Sequence, residues 1–196
     1  MKKKWIFLVA AVVFVSVIAG AVVLYNELSE RMTGQMKEPQ EQITVQEEPI
    51  EEKPETVETA PNFTVINNVG KEVQLKDYFG KPIVLNFWAT WCGPCKMELP
   101  YFNEAYLEYG EEIEFVMVNL TDGISETVKG VRKFMSDNDY SFPVHFDTDG
   151  NGASTYGAYS IPMTVFIDAE GTVIGNYTGV IPENVFREYI GALRGE

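Results

Sequence analysis

Two cysteines three residues apart, Cys92 and Cys95, stand where one sequence pattern gives way to another. An apolar run rich in β-branched residues, Ile83-Val84-Leu85-Asn86-Phe87-Trp88, leads in, and a helical spacing at Met97, Leu99, Phe102, Tyr106 and Leu107 leads out. The pair therefore marks a buried strand turning into a helix, and the chain has no other cysteine. The first turn of a helix carries unpaired N–H groups and a partial positive charge, so a thiolate at Cys92 is stabilised there and becomes the nucleophile. Cys95, one turn on, lies on the same face within reach of a disulfide and is the resolving thiol. Gly93 lets a partner's backbone approach, and Pro94 fits a helix start because its missing N–H has no partner to lose.

Two rival readings of the pair are weak. A closed zinc site needs four ligands, and apart from carboxylates only His145 remains. An inert structural disulfide closing so short a loop constrains the unfolded chain little.

The N-terminus reads as a membrane segment. Lys2, Lys3 and Lys4 (residues 1–4, a cytoplasmic basic region) precede an uncharged run of 21 residues, Trp5 to Tyr25, long enough to span a bilayer as a signal anchor. Ala19-Gly20-Ala21 offers the alternative of a cleaved signal peptide, but the apolar run continues beyond it. Residues 26–60 hold ten glutamates, three basic residues and three prolines. Such a composition buries too little to offset its ordering entropy and reads as an acidic, flexible linker rather than a docking peptide. The globular part is expected over residues 61–196, outside the cytoplasm, with nineteen acidic and nine basic side chains and no basic cluster. Nucleic acid is an unsuitable partner for that surface.

Within the domain, strand and helix patterns alternate. Phe63–Ile66 and Val73–Leu75 flank a turn and predict a hairpin. Ile113–Leu120 predicts a strand, Ser125 to Met135 a helix, Phe142–Phe146 a short strand, and Asn151–Tyr156 a helical turn. Met163–Ile167 and Thr172–Tyr177 join through Asp168-Ala169-Glu170-Gly171 as antiparallel neighbours. Glu183–Leu193 closes the chain as an amphipathic helix. The order argues an α/β sheet with helices on both faces. Pro100 falls inside the cysteine helix and is expected to bend rather than end it.

The run Phe87-Trp88-Ala89-Thr90-Trp91-Cys92-Gly93-Pro94-Cys95-Lys96, with Pro100 five residues after the second cysteine, closely resembles the thioredoxin active site. Glu98, three residues past Cys95, and the extra strand and helix between Ile113 and Phe146 resemble the membrane-anchored extracytoplasmic TlpA/ResA-like thiol:disulfide oxidoreductases. The resemblance covers roughly Pro61 to Leu193. It implies a thioredoxin-like fold with an N-terminal β-hairpin and an inserted βα element, preceded here by a transmembrane helix and a disordered linker. It also implies that Pro162, in Tyr159-Ser160-Ile161-Pro162-Met163-Thr164, is cis and faces the cysteines. Ile161 and Pro162 are then expected to hold an incoming chain by backbone hydrogen bonds, with Trp91, Gly93 and Pro94 beside them. Neither cofactor nor metal is implied.

One departure from cytoplasmic thioredoxins is Asn86, where a buried aspartate is expected; an amide does not exchange protons at neutral pH. In this branch a glutamate serves as acid and base, which assigns that role to Glu98; the plain reading is a solvated glutamate in a first helical turn. His145, the one histidine, reads as structural. Three Asn-x-Thr triplets carry little meaning in a chain with a bacterial look. A peroxidase reading fails because only Thr90 is present, at the wrong spacing, where peroxiredoxins carry proline and threonine.

The expected reaction is reduction of client-protein disulfides, since Gly-Pro between the cysteines resembles reducing thioredoxins, whose potentials lie near about −270 mV. The family implies a membrane thiol transporter of the CcdA or DsbD type as electron donor. Its implied clients are apocytochrome c, a spore-envelope or cell-wall protein, or a methionine sulfoxide reductase. An oxidase or isomerase, and a non-catalytic module that grips extended chains, are the alternatives.

Overall fold

The computed structural model describes residues 20–27 and 59–196. Residues 20–27 are helical and solvent-exposed. The basic region at 1–4, most of the expected span at 5–25 and nearly all of the linker at 26–60 lie outside the described residues. Among the described residues, no helix is long and apolar enough to cross a membrane.

The C-terminal unit is built on one seven-stranded sheet in the order β2-β1-β5-β4-β3-β6-β7. Its strands are β1 (Thr64–Ile66), β2 (Glu72–Gln74), β3 (Ile83–Trp88), β4 (Glu114–Asn119), β5 (Val144–Phe146), β6 (Met163–Ile167) and β7 (Val173–Thr178). Its helices are α1 (Gly93–Tyr109), α2 (Val128–Asp137), α3 (Asn151–Tyr156) and α4 (Glu183–Arg194). The expected N-terminal hairpin is the β1–β2 pair at one edge of the sheet. β3, β4 and β5 run parallel, as strands joined by helical crossovers do, whereas β6 and β7 run antiparallel. Between Ile113 and Phe146, where an extra strand and helix are expected, the structure has β4, α2 and β5, and β5 pairs with β4.

β3 is buried at every residue, as a central strand covered on both faces must be. Alternation along it divides the core. Val84 and Trp88 pack with Leu99, Phe102, Val131, Phe186 and Ile190, the inward faces of α1, α2 and α4. Ile83, Leu85 and Phe87 pack on the opposite face with Phe63, Leu75, Val118 and Val165, flanked by Ala153 and Tyr156 of α3. Asn86 shares the helical side with Val84 and Trp88. Gly175 in β7 lets α4 lie close: a Cβ there would come within 2.4 Å of the Tyr189 ring.

Two local expectations need adjustment. Helix α2 starts at Val128, not Ser125, because Thr127 is its N-cap, accepting from the Gly130 N–H over 3.1 Å, while Ser125 bonds Asp122 in the preceding loop. Order also begins before Pro61: Ala60 is buried and its N–H donates to Gly171 O over 2.8 Å. Helix α1 continues through Pro100 for 17 residues.

Candidate active site

The parallel strands β3 and β4 end side by side at Trp88 and Asn119, and the chain leaving β3 turns through Ala89, Thr90 and Trp91 into α1. Cys92 is the N-cap of that helix. The Cys95 N–H donates to Cys92 Sγ over 3.1 Å, so the sulfur takes up one of the donors that a helix start leaves open. The first turn contains no acidic residue to offset the helix dipole. Cys92 and Cys95 form a disulfide, with Cα atoms 5.3 Å apart. Cys95 is sealed and Cys92 is 4% exposed.

The Ile161–Pro162 peptide bond is cis, as the resemblance implied. Cys92 Sγ lies 3.8 Å from the Ile161 carbonyl oxygen, so this turn faces the disulfide. Gly179 N–H donates to Pro162 O over 2.8 Å and ties the turn to the end of β7. Around the disulfide, Trp91, Gly93, Pro94, Met97 and Tyr159 are exposed, an apolar rim on an acidic domain. No group of three or more His, Cys, Asp or Glu side chains among the described residues is arranged to hold a metal ion.

Behind the disulfide lies Glu98, and it is fully buried rather than solvated. Its Oε1 accepts from Asn86 Nδ2 over 2.8 Å and its Oε2 from the Ile181 N–H over 3.3 Å. Burial pushes its pKa up to about 7; the two hydrogen bonds pull the other way and do not cancel it. A carboxyl poised near neutrality, one turn from Cys95, can take or give a proton in the range where a thiol needs one. The Ile181 carbonyl accepts from the Tyr101 hydroxyl, so this loop is held through both the N–H and the C=O of one residue.

Asn86 is central in this group. Its Nδ2 also donates to Thr164 Oγ1 over 3.0 Å, connecting Glu98 to β6 two residues beyond Pro162.

A second buried carboxylate, Glu126, escaped the sequence reading. It accepts from the Thr90 N–H, the Thr90 hydroxyl and Asn119 Nδ2, each over 2.7 Å. Asn119 Oδ1 in turn accepts from the Thr121 hydroxyl over 2.7 Å. Glu126 therefore clamps the turn two residues before Cys92 to the end of β4. The one available signal was the polar Asn119 ending an apolar strand.

His145 stands apart from this cluster. It lies between Val144 and Phe146, which face the helical core, so alternation turns it to the other side of the sheet. Its Nε2 is 2.7 Å from the Tyr78 hydroxyl, and burial lowers its pKa to about 4, leaving it neutral.

Comparison with known proteins agrees with this geometry. Residues 57–175 match the AhpC/TSA family. The thiol-disulfide oxidoreductase ResA of Bacillus thuringiensis subsp. konkukian is 40% identical over 141 residues, covering 71% of this chain and 79% of the relative. ResA of Bacillus subtilis is 36% identical over 136 residues, covering 69% and 74%. Among solved structures, the pneumococcal exposed lipoprotein thioredoxin of Streptococcus pneumoniae superposes with a TM-score of 0.58 at 29% identity, covering 69% of this chain and 99% of that one. A thioredoxin-like sheet, a Cys-x-x-Cys disulfide at a helix start and relatives of this similarity together place the chain in the AhpC/TSA family, as a ResA-like thiol:disulfide oxidoreductase.

Proposed function

We propose that this oxidoreductase works as a reductase of client-protein disulfides, with Cys92 attacking, Cys95 resolving and Glu98 exchanging the proton. The observation that carries the reading is the Cys92–Cys95 disulfide at the start of α1, facing the Ile161–Pro162 backbone and backed by the buried Glu98. The Cys92 thiolate attacks one sulfur of the client disulfide, and the other sulfur leaves as a thiolate with the bonding electron pair. Glu98 takes the Cys95 proton, and the Cys95 thiolate attacks Cys92 Sγ, expelling the client's second thiolate. Glu98 passes its proton to one client thiolate and solvent protonates the other, so the client leaves as a dithiol and the enzyme carries the disulfide. Trp91, Gly93, Pro94, Ile161 and Pro162 form the surface on which the client lies, its extended backbone beside Ile161.

Residues 5–25 anchor the protein and residues 26–60 tether the domain outside the cytoplasm, in keeping with the basic flank and the apolar run. In that oxidising setting the disulfide needs electrons from within, which a membrane thiol transporter of the CcdA or DsbD type supplies. Apocytochrome c before haem attachment is one client of suitable chemistry, because its thiols must be free. A redox titration tests the direction of flow. A potential near about −270 mV supports the reductase, and one near about −120 mV, where strong oxidants lie, overturns it in favour of an oxidase.

A further inference from the structure

The buried amide of Asn86 is hydrogen-bonded on one side only. Nδ2 donates to both Glu98 Oε1 and Thr164 Oγ1, whereas Oδ1, equally shut off from solvent, has no partner. A half-turn of the amide places Oδ1 against Glu98 and Thr164 and leaves Nδ2 alone instead. One half of the amide is unpartnered either way, the oxygen in this orientation and the NH2 group in the other. What chooses is whether Glu98 Oε1 presents a lone pair or a proton.

The other carboxyl oxygen has no such freedom. Oε2 faces the backbone N–H of Ile181, which cannot reverse. A proton on Oε2 would oppose that donor, whereas a proton on Oε1 opposes only an amide that can turn. The titratable group beside Glu98 in the oxidised protein is Tyr101, since Cys92 and Cys95 are joined in the disulfide and do not titrate. The sheet contributes Asn86 and Thr164, which do not titrate, and the segment between β7 and α4 contributes the Ile181 peptide. Tyr101 gives its hydroxyl proton to the Ile181 carbonyl, and none of the ion pairs in the described residues includes Glu98.

We propose that Asn86 is a positioning residue that directs the proton of Glu98 to Oε1, its amide turning with the state of the carboxyl. It donates to the carboxylate and accepts from the acid, and the Thr164 hydroxyl changes from acceptor to donor in step. One proton arrives at Oε1 and later leaves; no bond between heavy atoms changes. An aspartate in this place could be an acid or a base itself, but could not serve both states of a neighbour without titrating. The inference rests on Glu98 being the group that exchanges a proton with Cys95.

Nuclear magnetic resonance of the oxidised full chain, carrying 13C at glutamate carboxyls and 15N at asparagine amides, tests it. The Glu98 and Asn86 signals are assigned by their loss in Glu98→Gln and Asn86→Asp. The Glu98 carboxyl is expected to titrate near pH 7, with the Asn86 NH2 pair moving at the same midpoint as its protons leave their acceptors. In Glu98→Gln the Asn86 pair is expected to stay fixed over that range. A Glu98 that titrates while the Asn86 pair stands still overturns the inference and leaves the proton-exchange reading intact. A Glu98 that does not titrate between about pH 5 and 9 overturns both.

Discussion

Asn86 donates to Glu98 over 2.8 Å in a pocket sealed from water, and this neutral contact is what a carboxyl beside a disulfide receives in place of a cation. The consequence is a folded state that prefers Glu98 protonated.

That preference has a sign in stability. The folded pKa of about 7 lies above the ordinary 4.5, so the folded form binds more protons between those values and stability falls as pH rises through them. The contribution is complete below pH 4.5 and gone above about 7; at about 1.4 kcal/mol per unit it amounts to roughly 3 kcal/mol. Denaturant unfolding of the oxidised protein at pH 5 and pH 8 checks this, with Glu98→Gln expected to lose that part of the slope.

His145 acts in the opposite direction. Its folded pKa of about 4 lies below the ordinary 6.5, so its contribution is present above 6.5 and lost as pH falls through 4. His145→Gln is expected to lose roughly 3 kcal/mol less than the parent across that window, read from unfolding midpoints, with disulfide exchange at neutral pH unchanged.

Glu126 holds three donors, one on the fully buried Asn119 and two on the half-buried Thr90. Glu126→Ala leaves the Thr90 N–H, the Thr90 hydroxyl and Asn119 Nδ2 unpaired, at about 1–3 kcal/mol for each one that finds no substitute. Thermal unfolding should show a large drop in Tm. Glu126→Gln, which keeps one acceptor oxygen, should lose less, and exchange kinetics should fall in the same order because the turn before Cys92 loosens.

The two cysteines are expected to divide their tasks. Cys92→Ser should abolish insulin reduction, whereas Cys95→Ser should retain the attack and accumulate a mixed disulfide that can be isolated with its client. Equal trapping by both variants would contradict the assignment of Cys92 as the attacking sulfur.

Much of this was legible in the sequence, for reasons that differ by residue. Strand β3 and helix α1 showed themselves through periodicity, and Cys92 and Cys95 through spacing at their junction. Asn86 and Glu98 were marked only by the family resemblance, Asn86 as a departure from the thioredoxin aspartate and Glu98 as the glutamate of the ResA-like branch. The partners of Glu98 did not show, because Ile181 and Thr164 come together with it across 83 and 66 residues through a backbone N–H and a threonine that no pattern marks. Glu126 was hidden for a related reason: a glutamate in a polar loop beside Asp122 and Ser125 looks solvated until the fold brings Thr90 to it. Thr127 rather than Ser125 caps α2 because Asp122 already occupies the Ser125 hydroxyl.

The role of Glu98 is tested most directly by the pH dependence of mixed-disulfide resolution in the parent and in Glu98→Gln. With Glu98 as base for Cys95, the parent's rate should rise through a pH of about 7, and the variant's rise should move toward the ordinary thiol range near about 8.5. Superimposable profiles would remove Glu98 from the mechanism.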